Sequence, residues 1–363
     1  MYQELLMRAN RVGLSDPKYR FLFGPRGFLI DRRDLDELTR LAKISTTFLK
    51  NADEFYQHEM ARGNSHLASI LQHGIPRKYV PLTLKEGLPQ TFMIDTMWTA
   101  NGWRIVEIDA TNRNGLGYPL VMRHLYNLPN VWKGNDRQWQ EAGFGETIQV
   151  MTHHCRFYEP YYRYFLEAIK GNLITETEIN NRLPEIQAAS SLLDMPIFHQ
   201  GSFVESLLQV AKVALIGIPP KHHLSSKAIL SLPWEVKEFF ADGVCEFLPE
   251  TRLLRNSTPF PVDEFFVKFL QSGGAHGTFY NDQIQFERLR NKRPRAIWQN
   301  ALPITKRLIE FLDEDNILKV SESFIRLSIY VTPQGEIVDA DVTASNEIIV
   351  HGGNRSIMTV PTL

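Results

Sequence analysis

Leu35, Leu38, Leu41 and Ile44 recur at helical spacing behind Asp31, which predicts a helix with an acidic start; a second helical stretch follows over residues 51–72. The first ninety residues therefore read as mostly helical. The texture changes at Thr91. Residues 92–98 and 103–109 are rich in β-branched and aromatic side chains around Ala100-Asn101-Gly102, the pattern of a hairpin. Residues 144–193 return to a helical pattern, and the apolar run 210–218, closed by Pro219-Pro220, reads as a buried strand. The last third reads as strands over 265–270, 296–299, 324–332 and 336–342, with one helical stretch over 304–312. The organisation expected from these shifts is a helical N-terminal region (1–90), a hairpin with a central helical and strand domain (91–220), and a lysine and glycine-loop domain (221–363).

At 363 residues the chain is long enough for a continuous core, and 43% hydrophobic with 22% charged residues is ordinary globular usage. Lys+Arg 40 against Asp+Glu 41 leaves a formal net charge of -1, so no global field draws it to nucleic acid or an anionic membrane. The two cysteines, Cys155 and Cys245, lie far apart, which excludes a disulfide scaffold or thiolate zinc knuckle and suggests a reducing compartment. An acid at Glu4 and the lack of a long apolar run point away from a signal peptide or membrane span, so the expected location is cytoplasmic.

Chemistry concentrates first in the hairpin. Glu107 and Asp109 share one face of a strand, and a pair of aligned carboxylates suits a hard cation. Whether Asp95 joins them depends on the turn. A two-residue Asn101-Gly102 loop sets Asp95 opposite Ile108, whereas a three-residue Ala100-Asn101-Gly102 loop sets it opposite Glu107. The functional reading predicts the odd-length connection; the bland one is a hairpin with its acids in water. The following segment, Thr111 to Tyr118, suits a loop passing close to a ligand, with Arg113 in reach of an anion.

The second cluster is Lys268 near the end of an apolar strand, followed by Ser272-Gly273-Gly274-Ala275-His276-Gly277-Thr278. A lysine beside a glycine-rich turn offers a point charge and closely spaced backbone N–H groups to phosphate oxygens, although the order differs from a P-loop. Lys227 opens an apolar helical run, and Gln299 ends a strand. In the C-terminal hairpin, alternation puts Arg326, Ser328 and Tyr330 on one face, where Arg326 meets a phosphate or a nearby acid. The pairs His153-His154 and His222-His223 are adjacent, a poor geometry for one metal, and read as structural or surface residues. The basic run Arg288 to Arg295 reads as a solvated loop.

Together these segments resemble an ATP-grasp ligase, specifically the circularly permuted glutathionylspermidine synthetase type. The family's magnesium acids are similar to Asp95 and, twelve residues on, Glu107 and Asp109; its Leu-Ser-Asn-Lys-like element is similar to Leu224-Ser225-Ser226-Lys227. Its strand lysine resembles Lys268 and its aromatic-Gln hinge Trp298-Gln299, in the same chain order. The departures are Asp109 where the family has Asn, Met93 in place of an arginine, and Asp339 to Asp341 near the family's C-terminal arginine, which leaves Arg326 a poor positional match.

The resemblance implies an α+β, ATP-grasp-like fold with antiparallel sheets, flanking helices and a helical N-terminal region. It implies ATP and magnesium, with Lys227, Lys268, Ser272, Gly273, Gly274, Gly277 and Gln299 on the nucleotide, Asp95, Glu107 and Asp109 on the metal, and Arg326 and Arg113 at the reacting end. The activity implied is amide formation between a small-molecule carboxylate and an amine through an acyl phosphate, under a lid formed by residues 272–278. The alternatives are a non-ligating ATP-binding protein or kinase on the same scaffold, and a divalent-cation-binding interaction protein.

Overall fold

In the computed structural model, the chain is described over residues 1–14, 21–63, 65–75, 77, 80–84, 86–89, 91–110, 115–132, 139, 147–151, 159–175, 178, 181, 191–193, 221–240, 243–272, 277–291, 293–352 and 355–363. The run 210–218, His153, His154, Arg113, Gly273 and Gly274 lie outside the described residues.

Helix α1 (Tyr2–Arg11) is followed by the short strands β1 (Leu22–Phe23) and β2 (Phe28–Leu29), then by α2 (Arg32–Ala61). The two helical stretches expected over 35–44 and from 51 are one 30-residue helix through its C-terminal part. Asp31 starts it with a full capping box, its carboxylate accepting from the Asp34 N–H while Asp34 accepts from the Asp31 N–H. Asp34 also accepts from the Trp103 indole at 2.9 Å and pairs with Arg307 at 3.1 Å, so the cap ties the helix to two strands.

The largest sheet has the order β12-β1-β15-β14-β13-β3-β4, built from β3 (Phe92–Thr99), β4 (Gly102–Asp109), β12 (Lys306–Leu312), β13 (Leu318–Val331), β14 (Ile337–Ser345) and β15 (Ile357–Thr359) with β1. Because β12 also pairs with β13, strands β12, β1, β15, β14 and β13 close into a ring. All three regions of the chain contribute strands to this sheet. A second antiparallel sheet, β10-β9-β11-β8, is formed by β8 (Thr251–Leu253), β9 (Phe265–Phe269), β10 (Thr278–Tyr280) and β11 (Ala296–Asn300).

Two cores cover the large sheet. On one face Leu38, Leu41, Phe48 and Phe55 of α2 pack with Ile94, Ile105, Leu327 and Ile329, each buried side chain stabilising the fold by about 1.5–3 kcal/mol. On the other face α1 and the helices Tyr118–Tyr126 and Glu159–Ala168 pack around Tyr330, Val338 and Met358.

Two expectations fail. Residues 306–312 form strand β12, because their register against β13 runs unbroken from Lys306↔Phe324 to Leu312↔Leu318 and this pairing overrides the local helical spacing. Within 144–193 only Glu159–Ala168 is an α-helix among the described stretches of any length, while β5 (Thr147–Met151), β6 (Asn172–Thr175) and β7 (Ser191–Leu193) form a parallel sheet. Strands of three to five residues are too short for their period to stand out from the helical pattern around them.

Candidate functional site

The acidic hairpin aligns its carboxylates by a different device from the one expected. The loop is a two-residue Ala100-Asn101 turn with Thr99 paired to Gly102, and this even register continues to Thr96↔Ile105. A β-bulge then intervenes, so that Asp95 pairs with Glu107 and Met93 with Asp109, leaving Val106 as the extra residue. The expected odd-length connection is therefore wrong, yet Asp95 does oppose Glu107. Without the bulge Glu107 would oppose Ile94, whose side chain is in the core.

The same row continues across the sheet. Asp95 pairs with Ser328, and Ser328 with Asp341, so Glu107, Asp95, Ser328 and Asp341 lie side by side on four strands. Ser328 donates to Asp95 at 2.6 Å. Arg326, Ser328 and Tyr330 do share a face, as alternation requires, and all three line one cavity of about 300 Å³ with Asp95, Glu107 and Asp341. This volume sits at the low end of small-molecule sites.

The second sheet supplies the opposite wall. Phe266 and Lys268 alternate along β9, and with Thr278 and Gln299 they line the cavity. Lys268 is buried and donates to the Val106 carbonyl at 3.1 Å, so the bulge residue that the ladder leaves over becomes the lysine's acceptor. Lys227 opens a 3-10 turn, Lys227–Ser231, behind the N-cap Ser226. It is 5% exposed, pairs with Glu107 at 2.9 Å and donates to the Ser272 carbonyl at 2.6 Å. Ser225, two residues before it, donates to Asp109 at 2.8 Å.

These charges set each other's protonation. Burial pushes the Lys268 ammonium down to about 8, against the opposing pull of Glu107 and Asp95. Burial works to raise the Glu107 carboxyl, but the Lys227 and Lys268 charges outweigh it and hold the group below its ordinary value. Burial raises Asp341 to about 7, with Arg326 pulling it down and Asp95 and Asp339 pushing it up. Burial alone would lower Arg326, yet Asp95, Asp341 and Glu107 hold its guanidinium above the ordinary value. Arg326 meets an acid: its Nη1 lies 3.6 Å from Asp95. Its other contacts run to the Val350 carbonyl and Thr343 hydroxyl, and its buried Nε has no partner among the described residues.

Of the remaining expected residues, Gln299 is buried and donates to the Thr251 hydroxyl at 3.1 Å while facing the cavity. Gly277 has a left-handed φ of 77°, and a Cβ there would run into the Phe269 ring. Ser272 enters through its carbonyl. Arg113, Gly273 and Gly274, and with them the interior of the expected lid, are outside the described residues. His222 and His223 are buried rather than on the surface, and His223 meets Asp53 at 2.8 Å. Sequence reasoning gave no site role to Ser328, Asp341, Ser225 or the Val106 carbonyl, although Ser328 alternates with Arg326 and Tyr330 and Ser225 lies in the element that ends at Lys227.

Among the described residues, no group of three or more His, Cys, Asp or Glu side chains is placed to hold a metal ion. Asp95 and Glu107 are opposed on neighbouring strands, and Asp109 stands one row further on, held by Ser225. Two opposed carboxylates fit a magnesium ion that brings phosphate oxygens and water as its other ligands, rather than one held in an all-protein cage.

No family model matches the chain, and no curated protein matches it in sequence. Among solved structures, it is similar to a glutathione synthetase-like effector from Globodera pallida in its apo form, at a TM-score of 0.59 and 13% identity, covering 100% of this chain and 96% of that one. No helix among the described residues is long and apolar enough to cross a membrane. The chain has an α+β, ATP-grasp-like fold with antiparallel sheets and flanking helices, similar to that of glutathione synthetase-like proteins.

Proposed function

We propose that the protein is an ATP-dependent carboxylate–amine ligase. The observation that carries this reading is one cavity lined by Lys268, the opposed pair Asp95 and Glu107, and Arg326, with Lys227 paired to Glu107. Lys227 and Lys268 leave Glu107 and the Val106 carbonyl to take the nucleotide phosphates, which frees Glu107 to join Asp95 as an oxygen ligand. Magnesium, held by those two carboxylates, would supply positive charge at the transferred phosphoryl group. Gln299 and Phe266 lie on the wall of the second sheet, where the rest of the nucleotide would sit. Arg326 holds the reacting carboxylate, whose oxygen attacks the γ-phosphorus as the bond to ADP breaks. An amine nitrogen then attacks the acyl carbon, phosphate leaves, and the nitrogen gives up its proton.

ADP release is the test. It should require both a carboxylate and an amine, and it should vanish in Lys268→Ala. Met93, in the row where the family resemblance places an arginine, favours one other reading, a nucleotide-binding protein that does not ligate. Tight nucleotide binding with no ADP release under any pairing of substrates would support that second reading and overturn the first.

A further inference from the structure

Four acids line the cavity: Asp95, Glu107, Asp109 and Asp341. Asp95 and Glu107 face each other as the metal pair, and Asp109 accepts from Ser225. Asp341 stands apart from them, at the other end of the row and separated from Asp95 by Ser328. At a strand spacing of about 4.8 Å, it lies roughly 10 Å along the sheet from Asp95. It is 5% exposed and on the cavity wall.

The protein does not answer this buried carboxylate with a cation of its own. Arg326 pulls on it from a distance, but its ion pair is with Asp95 and its terminal nitrogens donate to the Val350 carbonyl and the Thr343 hydroxyl. Among the described residues, no ion pair includes Asp341. The Tyr330 hydroxyl has one proton for two acceptors, Asp341 and the Gly115 carbonyl, and the carbonyl stands at 2.6 Å. A buried carboxylate left in this state is disfavoured, and a ligand ammonium would relieve it. Burial, with Asp95 and Asp339 adding to it, raises Asp341 to about 7 against the pull of Arg326, so the group is also able to take up a proton near neutral pH.

Register sets Asp341 beside the acyl site. Arg326 pairs with Thr343, two residues along β14 from Asp341, so Arg326 and Asp341 are diagonal neighbours with Cβ atoms roughly 7 Å apart. A carboxyl carbon held on the guanidinium and a nitrogen held on Asp341 are therefore able to meet at about 3–3.5 Å, the separation from which a bond forms.

We infer that the amine substrate enters as an ammonium ion and that Asp341 is the catalytic residue that binds it and takes its proton. This rests on the ligase reading above and supplies that reading with its amine subsite. The ammonium nitrogen passes one proton to Asp341, and the lone pair so freed forms the C–N bond at the acyl carbon. The C–O bond to phosphate breaks, the leaving phosphate takes a second proton from the nitrogen, and Asp341 returns its own to solvent. The acceptor class is an alkyl amine basic enough to arrive charged.

The test uses the full chain with ATP and magnesium, with acetate, succinate, benzoate and glutathione as acids. Ethylamine, putrescine and glycine are compared as nucleophiles with hydroxylamine, which is uncharged at neutral pH and already presents a free lone pair. Amide, hydroxamate and ADP are measured for the unaltered chain, Asp341→Asn and Asp341→Ser. The expected result is that the ratio of amide to hydroxamate formed from a given acid falls by at least about 100-fold in both variants, the low end for loss of a positioned proton acceptor. A merely structural defect lowers both products together and leaves the ratio unchanged. An unchanged ratio, or hydroxamate with no amide from any of the three amines in the unaltered chain, overturns the role of Asp341 while the ligase reading stands. If no acid yields ADP with either kind of nucleophile, both fall.

Discussion

Lys221 and Lys227 stand at the starts of two consecutive 3-10 turns, both buried and both paired with an acid, yet they are built for different ends. Lys221 is 0% exposed and its three donors are all taken, by both Asp53 oxygens at 3.0 and 2.8 Å and by the Thr83 carbonyl at 3.1 Å. His223 meets the same carboxylate and stacks on Tyr56 at 3.8 Å, so the group is closed on every side. Lys227 engages Glu107 and the Ser272 carbonyl, and Glu107 lines the cavity with its side chain 27% exposed. Burial and ion pairing alone do not separate the two. A partner that can be exchanged for a ligand does.

The contrast breaks most visibly at Asp53. Asp53→Asn strands a buried ammonium and should lower unfolding stability by about 3–5 kcal/mol in urea melts. Glu107→Gln should lower it by less than Asp53→Asn does, because Glu107 borders the cavity and the amide oxygen still accepts from Lys227. Equal losses would erase the distinction between the two lysines.

Lys227→Ala comes next. It should lower the urea midpoint less than Asp53→Asn does and weaken nucleotide binding by roughly 10- to 100-fold, the range for losing a charge-assisted hydrogen bond. The pH dependence follows at Lys268. Its folded-state value of about 8 lies below the ordinary lysine value, so the unfolded chain holds the proton to higher pH. Between about 8 and 10.5 this residue's contribution to stability rises with pH, while nucleotide affinity falls as the charge is lost. Lys268→Arg should keep its charge and remove that fall in affinity, as read by titrations at pH 7 and pH 9. The smallest effect is expected at Asp109→Asn: the amide oxygen still accepts from Ser225, so affinity should change by no more than about threefold.

What the chain revealed in advance depended on how local the cause was. The helix behind Asp31, the hairpin strands, and the shared face of Arg326, Ser328 and Tyr330 follow from neighbours a few residues away. The bulge at Val106 does not, because nothing in the segment distinguishes an extra ladder residue from a regular one, and the pairing of Asp95 with Glu107 was expected for the wrong geometric reason. Strands β1 and β15 are two and three residues long and pair across more than three hundred positions, so no local window announces them. The Lys221, Asp53 and His223 group joins two distant segments, at 53 and at 221–223, and is hidden for the same reason. Its residues were visible individually, but their meeting was set by α2 packing against the turn.

Calorimetric titration of ATP with magnesium onto the unaltered chain and the Lys227→Ala/Lys268→Ala double variant, with melting curves to verify the fold, tests the central claim most directly. The account predicts one nucleotide site in the unaltered chain and at least about 100-fold weaker binding in the folded double variant. No binding to the unaltered chain, or equal affinity in the two proteins, would contradict it.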